Sequence, residues 1–224
     1  PTLGDLYRDL NKSNLRRAKQ LALMLDVFAN GSLQAFSHIT NVDMNNRLIC
    51  FNIQSLGDQL RPIAMMSLLE FINMQVMTNR RKDATAATWI YFDEIHVLLK
   101  DPMSSNFLYS SWKRFRKYNA YATGISQDIQ DYLDNPVAYA LLSNSEFVAL
   151  LKQANVDSAK LAEVIGVSDA QLQYVHNSPS GTGLLKCGSV VIPFDNQISK
   201  DSDLYKLYNT NIHAEINNEG SCKC

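Results

Sequence analysis

Between Thr88 and Asp101 the chain reads Thr-Trp-Ile-Tyr-Phe-Asp-Glu-Ile-His-Val-Leu-Leu-Lys-Asp, an apolar, β-branched run broken by the acid pair Asp93-Glu94. A buried strand that delivers two carboxylates at its carboxyl end is the arrangement of a nucleotide-hydrolysing site. One acid can hold a cation through its water shell while the other polarises an attacking water. The plainer alternative is that both acids favour the amino end of a following helix, where the backbone dipole attracts negative charge.

The pattern around this run limits the architecture. Residues 3–29 place Leu15, Ala18, Ala22, Leu25 and Phe28, with Leu21 and Met24, at helical spacing, and Asn30-Gly31 offers a stop. From Arg47 onward strands and helices alternate. Residues 48–53 read as a short apolar strand. Residues 59–76 read as a helix that tolerates Pro62 in its first turn and carries Ile63, Met66, Leu69, Phe71 and Met74 around much of its girth, which predicts burial on more than one side. A strand over 88–92 follows, then a helix over 104–117, a strand over 120–125, and helices over 128–133 and 136–142. A strand over 146–151, helices over 157–165 and 168–175, and a hairpin around 183–194 complete the series. Such alternation predicts an α/β fold with a largely parallel sheet and helices on both faces. Ligands in that architecture bind beyond the carboxyl ends of the strands, the edge at which Asp93, Glu94, Ser126 and Gln127 fall.

Composition adds exclusions. A chain of 224 residues with 46% hydrophobic and 19% charged residues can bury a full core. The formal net charge of −1 gives no general attraction to nucleic acid, which leaves Arg80-Arg81-Lys82 and Lys113-Arg114-Phe-Arg116-Lys117 as local basic patches or as solvated surface. Cys50, Cys187, Cys222 and Cys224 are too scattered for a disulfide framework and point to a reducing compartment. No apolar run has the length of a membrane span. The opening at Pro1, without an initiator Met, is expected of a piece of a larger protein.

A second constellation is Arg116-Lys-Tyr-Asn-Ala-Tyr-Ala-Thr-Gly-Ile-Ser-Gln127, where a helix ends in basic residues, a strand of small residues follows, and an amide side chain stands at the strand end. A glutamine there can orient a water or sense a phosphate with its donor and acceptor atoms. It can equally cap the next helix.

Taken in order, Tyr-Phe-Asp93-Glu94, Arg-Lys-Tyr-Asn119, Thr-Gly-Ile-Ser-Gln127, Leu142-Ser-Asn-Ser-Glu-Phe-Val-Ala-Leu-Leu-Lys152-Gln153 and Gly181-Thr-Gly-Leu-Leu resemble the carboxyl-terminal motor domain of the conjugation ATPases that energise type IV secretion. That family belongs to the ring-forming, RecA-like DNA and protein translocases. The resemblance implies a RecA-like P-loop NTPase core over residues 47–200, a helical insertion or lid over 1–46, and a carboxyl-terminal helix and tail over 201–224. It implies ATP and Mg²⁺ as cofactors, with Asp93 as the acid that holds Mg²⁺ through water and Glu94 as the catalytic glutamate. Gln127 matches the family's γ-phosphate-sensing glutamine. Arg116, Lys117 and Lys152 stand where the family places basic residues around the nucleotide or the subunit boundary, although Lys152-Gln153 also reads as the polar end of a strand. The implied setting is a hexameric ring at the cytoplasmic face of the cell membrane, in contact with secretion-channel membrane proteins and acting on a DNA or nucleoprotein substrate.

One departure from the family pattern stands out: the chain contains no Gly-x-x-x-x-Gly-Lys-Ser/Thr. Ser180-Gly-Thr-Gly-Leu-Leu-Lys186-Cys-Gly188 has the wrong spacing and no hydroxyl after the lysine, and reads as a turn between strands. The phosphate-binding loop is therefore expected upstream of Pro1, and the 224 residues alone are expected to be catalytically silent. A RecA-like fold kept as a non-catalytic interaction platform, and a DNA-pumping translocase of the cell-division or repair type, are the alternative readings.

Overall fold

The computed structural model describes residues 2–57, 59–127, 129–152, 158–176 and 179–208. In chain order the elements are helices α1 (Leu3–Lys12), α2 (Arg16–Ala29) and α3 (Arg61–Lys82), strand β1 (Thr88–Phe92), helices α4 (His96–Lys100) and α5 (Pro102–Phe115), and strand β2 (Ala120–Gly124). Helices α6 (Gln130–Asp134) and α7 (Pro136–Ser143), strand β3 (Phe147–Leu151), helices α8 (Ser158–Ile165) and α9 (Asp169–His176), strands β4 (Thr182–Cys187) and β5 (Val190–Asp195), and helix α10 (Asp203–Tyr208) follow. The class is α/β, as the alternation predicts. Two units divide the chain, residues 1–88 with 101–121 and residues 89–100 with 122–224.

In the first unit α1 opens on a capping box: Thr2 Oγ1 accepts from the Asp5 N–H at 3.2 Å and Asp5 Oδ2 accepts from the Thr2 N–H at 2.7 Å. The predicted single helical stretch is thus two helices, separated at residues 13–15. Helix α2 buries the small residues Ala18, Ala22 and Ala29, whereas Leu15, Leu21 and Met24 of the expected stripe are exposed. Helix α3 runs further than its apolar pattern, because Arg80, Arg81 and Lys82 in its last turn complement the carbonyl end of the helix. That role accounts for one basic patch, and Lys113 and Arg114 do the same for α5. The buried positions of α3, Ala64, Met65, Leu69 and Val76, fall within an arc of about 140° at 3.6 residues per turn. Of the residues expected around its girth, Leu69 is buried, Ile63, Met66 and Phe71 are half-buried outside or at the edge of that arc, and Met74 alone is exposed. Asn73 Nδ2 donates to Ser111 Oγ at 3.0 Å and ties α3 to α5.

Residues 48–53 also differ from expectation. Ile49, Phe51 and Ile53 are half-buried while Leu48, Cys50 and Asn52 are exposed, the period of two that suggested a strand. Yet among the described residues no strand pairs with this segment, so alternation exists without a ladder.

Strands β1 and β2 are neighbours in one sheet. The Thr88 N–H donates to Asn119 O at one end and the Ile125 N–H donates to Phe92 O at the other, so the two strands run in the same direction. In the second unit β3, β4 and β5 form an antiparallel sheet in the order β3-β4-β5, with Phe147 opposite Cys187 and Cys187 opposite Val190. One face of this sheet presents Leu150 and Leu184 to Leu161, Ile165, Val167, Leu172 and Val175 from α8, α9 and their connection. Gly183 is required there, because a Cβ at that position would lie 1.9 Å from Leu150 O. The segment 180–188, expected to be a turn between strands, is for the most part a strand: the entry to β4, β4 itself and the first residue of its hairpin turn. Among the described residues, no helix is long and apolar enough to cross a membrane.

Candidate functional site at the end of β1

Strand β1 hands its carboxyl end to a tight turn that crosses the end of β2. Phe92 O accepts from the Ile125 N–H at 2.9 Å, and the Ile95 N–H donates back to Ile125 O at 3.0 Å, so residues 93–94 bridge a single residue of the neighbouring strand. Ile95 is completely buried and lies against β2 where Gly124 leaves room for it; a Cβ on Gly124 would meet Ile95 Cδ1 at 2.8 Å and Tyr132 Oη at 3.2 Å. Immediately after the turn, the Val97 N–H donates to Glu94 O at 2.9 Å and α4 begins.

The consequence for the backbone is specific. Glu94 has φ of +50°, a left-handed conformation that a non-glycine residue adopts at a cost of about 1–3 kcal/mol. Asn119, the other non-glycine residue there among those described, closes the 3₁₀ turn after α5, a place where asparagine is common. Glutamate has no such excuse, and strain of this kind concentrates at sites where side-chain direction matters.

The side chains gathered at this point are Asp93, Glu94, His96 and Gln127. Asp93 is exposed, and its Oδ1 accepts from the Glu94 N–H at 3.0 Å. Gln127 Nε2 donates to Glu94 Oε1, so the amide at the end of β2 meets the second acid at the end of β1. Ile129, not Gln127, occupies the cap position of α6. The other carboxylate oxygen, Glu94 Oε2, stands 3.1 Å from His96 Nδ1, with the two side chains 37% and 21% exposed. His96 went unread in the sequence; its signal was its place two residues beyond the acid pair, at the first position of a short helix.

The remaining candidates are placed as follows. Arg116 and Lys117 lie exposed in the 3₁₀ turn after α5, in the first unit, whereas the acid pair belongs to the second. Lys152 is exposed just beyond β3, and Gln153 lies outside the described residues. Cys50 and Cys187 are free and exposed, and Cys222 and Cys224 lie outside the described residues.

Among the described residues no three His, Cys, Asp or Glu side chains are grouped to hold a metal. Mg²⁺ keeps several waters and takes one or two carboxylates together with the phosphates of its substrate, and the exposed carboxylate of Asp93 has the chemistry such an ion takes.

Among curated protein sequences, none matches this chain. The fold is similar to the solved structure of VirB4 of Thermoanaerobacter pseudethanolicus, with a TM-score of 0.71 and 26% identity over 89% of this chain and 55% of that one. The chain thus spans about half the length of the structure it matches. Residues 21–201 match the family model described as the TraG P-loop domain. This bears out the relationship to the conjugation and type IV secretion ATPases read from the order of the motifs, and the chain belongs to the TraG P-loop domain family.

Proposed function

We propose that this chain supplies the hydrolytic carboxylates of an ATPase that powers type IV secretion or conjugative transfer. The observation that carries the reading is the strained Glu94, whose carboxylate meets the Gln127 amide across the ends of two parallel strands. In this reading Glu94 accepts a proton from the attacking water, and Gln127 reports on the phosphate side of the site through its hydrogen bond to Glu94. Asp93 holds the water shell of Mg²⁺, and when bound that ion neutralises charge developing on the transferred phosphoryl group.

Arg116, Lys117 and Lys152 are exposed cations suited to a neighbour's nucleotide in a ring, and Glu94→Gln subunits mixed with Arg116→Ala or Lys152→Ala subunits should regain part of their turnover if any of them acts in trans. The partners that go with the reading are further copies in a hexamer, the membrane proteins of a secretion channel at the cytoplasmic face, and DNA or nucleoprotein as cargo. The phosphate-binding backbone, lysine and hydroxyl of a Gly-x-x-x-x-Gly-Lys-Ser/Thr loop come from polypeptide outside these residues.

Calorimetric titration with Mg²⁺-ATP tests this division of labour. The 224-residue chain should show no binding at micromolar concentrations, and a longer polypeptide that includes such a loop should bind and hydrolyse. Binding and turnover by the 224 residues alone would refute it. Tight binding without hydrolysis by the longer polypeptide would favour a non-catalytic platform.

A further inference from the structure

We infer that His96 is a positioning residue for Glu94, an inference that rests on the reading of Glu94 as the hydrolytic carboxylate. The geometry divides the two carboxylate oxygens between two partners. Oε1 meets the Gln127 amide, and Oε2 lies 3.1 Å from His96 Nδ1, an atom itself shielded from solvent. A glutamate side chain has three rotatable bonds, and a general base must be held to within a fraction of an ångström to act; a displacement of about 1 Å can cost about 100-fold in rate. Gln127 alone fixes one oxygen and leaves the carboxylate free to pivot about it. His96 stands beside the second, where a small realignment would let it fix that oxygen too.

The backbone supports this. His96 opens α4, whose Leu98 and Leu99 are buried, and the preceding residue, Ile95, is completely buried against β2. The imidazole therefore stands on an anchored turn, and its short side chain brings Nδ1 to Oε2 of a residue only two positions earlier. The left-handed backbone of Glu94 redirects its side chain locally, which allows neighbours so close in sequence to meet. Each carboxylate oxygen has two lone-pair sites, so a carboxylate held on one side by Gln127 and flanked on the other by His96 still has capacity to accept a proton from water. The approach of Nδ1 to Oε2 is close but poorly aligned for a hydrogen bond, a looseness common before substrate binds.

The test is steady-state ATP hydrolysis by the full-length protein carrying His96→Ala, His96→Asn and Glu94→Gln, with each variant's fold checked by thermal unfolding. His96→Ala should lower kcat about 100-fold with KM for Mg²⁺-ATP nearly unchanged. His96→Asn, whose amide nitrogen can replace Nδ1, should recover most of the loss. In a Glu94→Gln background, His96→Ala should cost almost nothing more, because the group it positions is already gone. Wild-type kcat in His96→Ala, or an Asn variant as impaired as the Ala variant at equal stability, would overturn the positioning role while leaving Glu94 as the base. Should His96→Ala fail to fold, the kcat of His96→Asn decides alone: a value near wild type supports the role and a 100-fold loss overturns it. Wild-type turnover in Glu94→Gln would instead remove the underlying reading of Glu94, and the role of His96 with it.

Discussion

Replacing Gly124 by alanine probes how the acid-bearing turn is held. The added Cβ would lie 2.8 Å from Ile95 Cδ1, 3.2 Å from Tyr132 Oη and 3.4 Å from Ile95 Cγ2, against the 3.5–4.0 Å at which carbon atoms rest comfortably. Ile95 cannot swing into solvent, since it is completely buried, and Tyr132 is buried as well. Overpacking of this kind costs about 1–3 kcal/mol and the stiffer unfolded chain returns about 0.4–1 kcal/mol, so the middle of the two ranges is a net loss of about 1.3 kcal/mol. Urea unfolding of the 224-residue chain measures it directly. In a chain this size each kcal/mol also lowers the thermal midpoint by about 2–4 °C. Ile95→Val removes the clashing Cδ1 at a cost of about 1 kcal/mol on its own, so the double variant should lose less than the sum by at least about 0.5 kcal/mol. Stability equal to wild type in Gly124→Ala, or strict additivity in the pair, would refute the claim that Gly124 exists to seat Ile95.

Other perturbations follow from single features of the fold. Asp101 caps α5 by accepting from the Ser104 N–H at 2.8 Å and Ser104 Oγ at 2.9 Å, and the first of these bonds is the main cause that holds its carboxyl below the ordinary carboxylate range. A depressed folded value means that the cap's contribution is full above that ordinary range and is lost as pH falls through the lowered one. Asp101→Ala should therefore cost about 1 kcal/mol at neutral pH, with the difference from wild type vanishing in acid unfolding titrations; a pH-independent difference would contradict this. Leu161→Ala, at a completely buried position in the α8–α9 core, should cost about 2–5 kcal/mol, and a loss below 1 kcal/mol in urea unfolding would show that this core is loosely packed. Asn135 accepts from the Val137 and Ala138 N–H groups at the start of α7 while its Nδ2 donates to Leu99 O at 3.1 Å, so Asn135→Ala should cost about 1–2 kcal/mol, and an unchanged urea midpoint would deny the cap.

Much of this arrangement was legible because it is local. Ile90 and Phe92 alternate with exposed neighbours to make β1, and the switch to Asp93-Glu94 marks where the strand delivers its acids. The small residues of β2 ending in Gln127 pointed to the same edge, and the structure joins the two through Gln127 and Glu94. What was not legible depends on partners distant in sequence or on backbone angles. Residues 48–53 have the right alternation, but a strand is made by its ladder, and no local signal says whether a neighbour is present. The antiparallel run of β3 against β4 follows from how the α8–α9 segment returns the chain, which periodicity does not encode. Helix α4 escaped because Val97-Leu98-Leu99 is too short to show a helical period. The left-handed conformation of Glu94 has no signature at all in a glutamate, since it comes from Phe92 and Ile95 closing the turn on either side against Ile125.

Mg²⁺-ATP affinity and turnover, measured side by side on the full-length protein and its Asp93→Asn and Glu94→Gln variants, address the central assignment most directly. Glu94→Gln keeps the shape and much of the hydrogen bonding of the side chain, so it should bind nucleotide as wild type does while hydrolysis falls by about 100-fold or more; Asp93→Asn should weaken Mg²⁺-dependent binding instead. Undiminished turnover in Glu94→Gln would contradict the assignment.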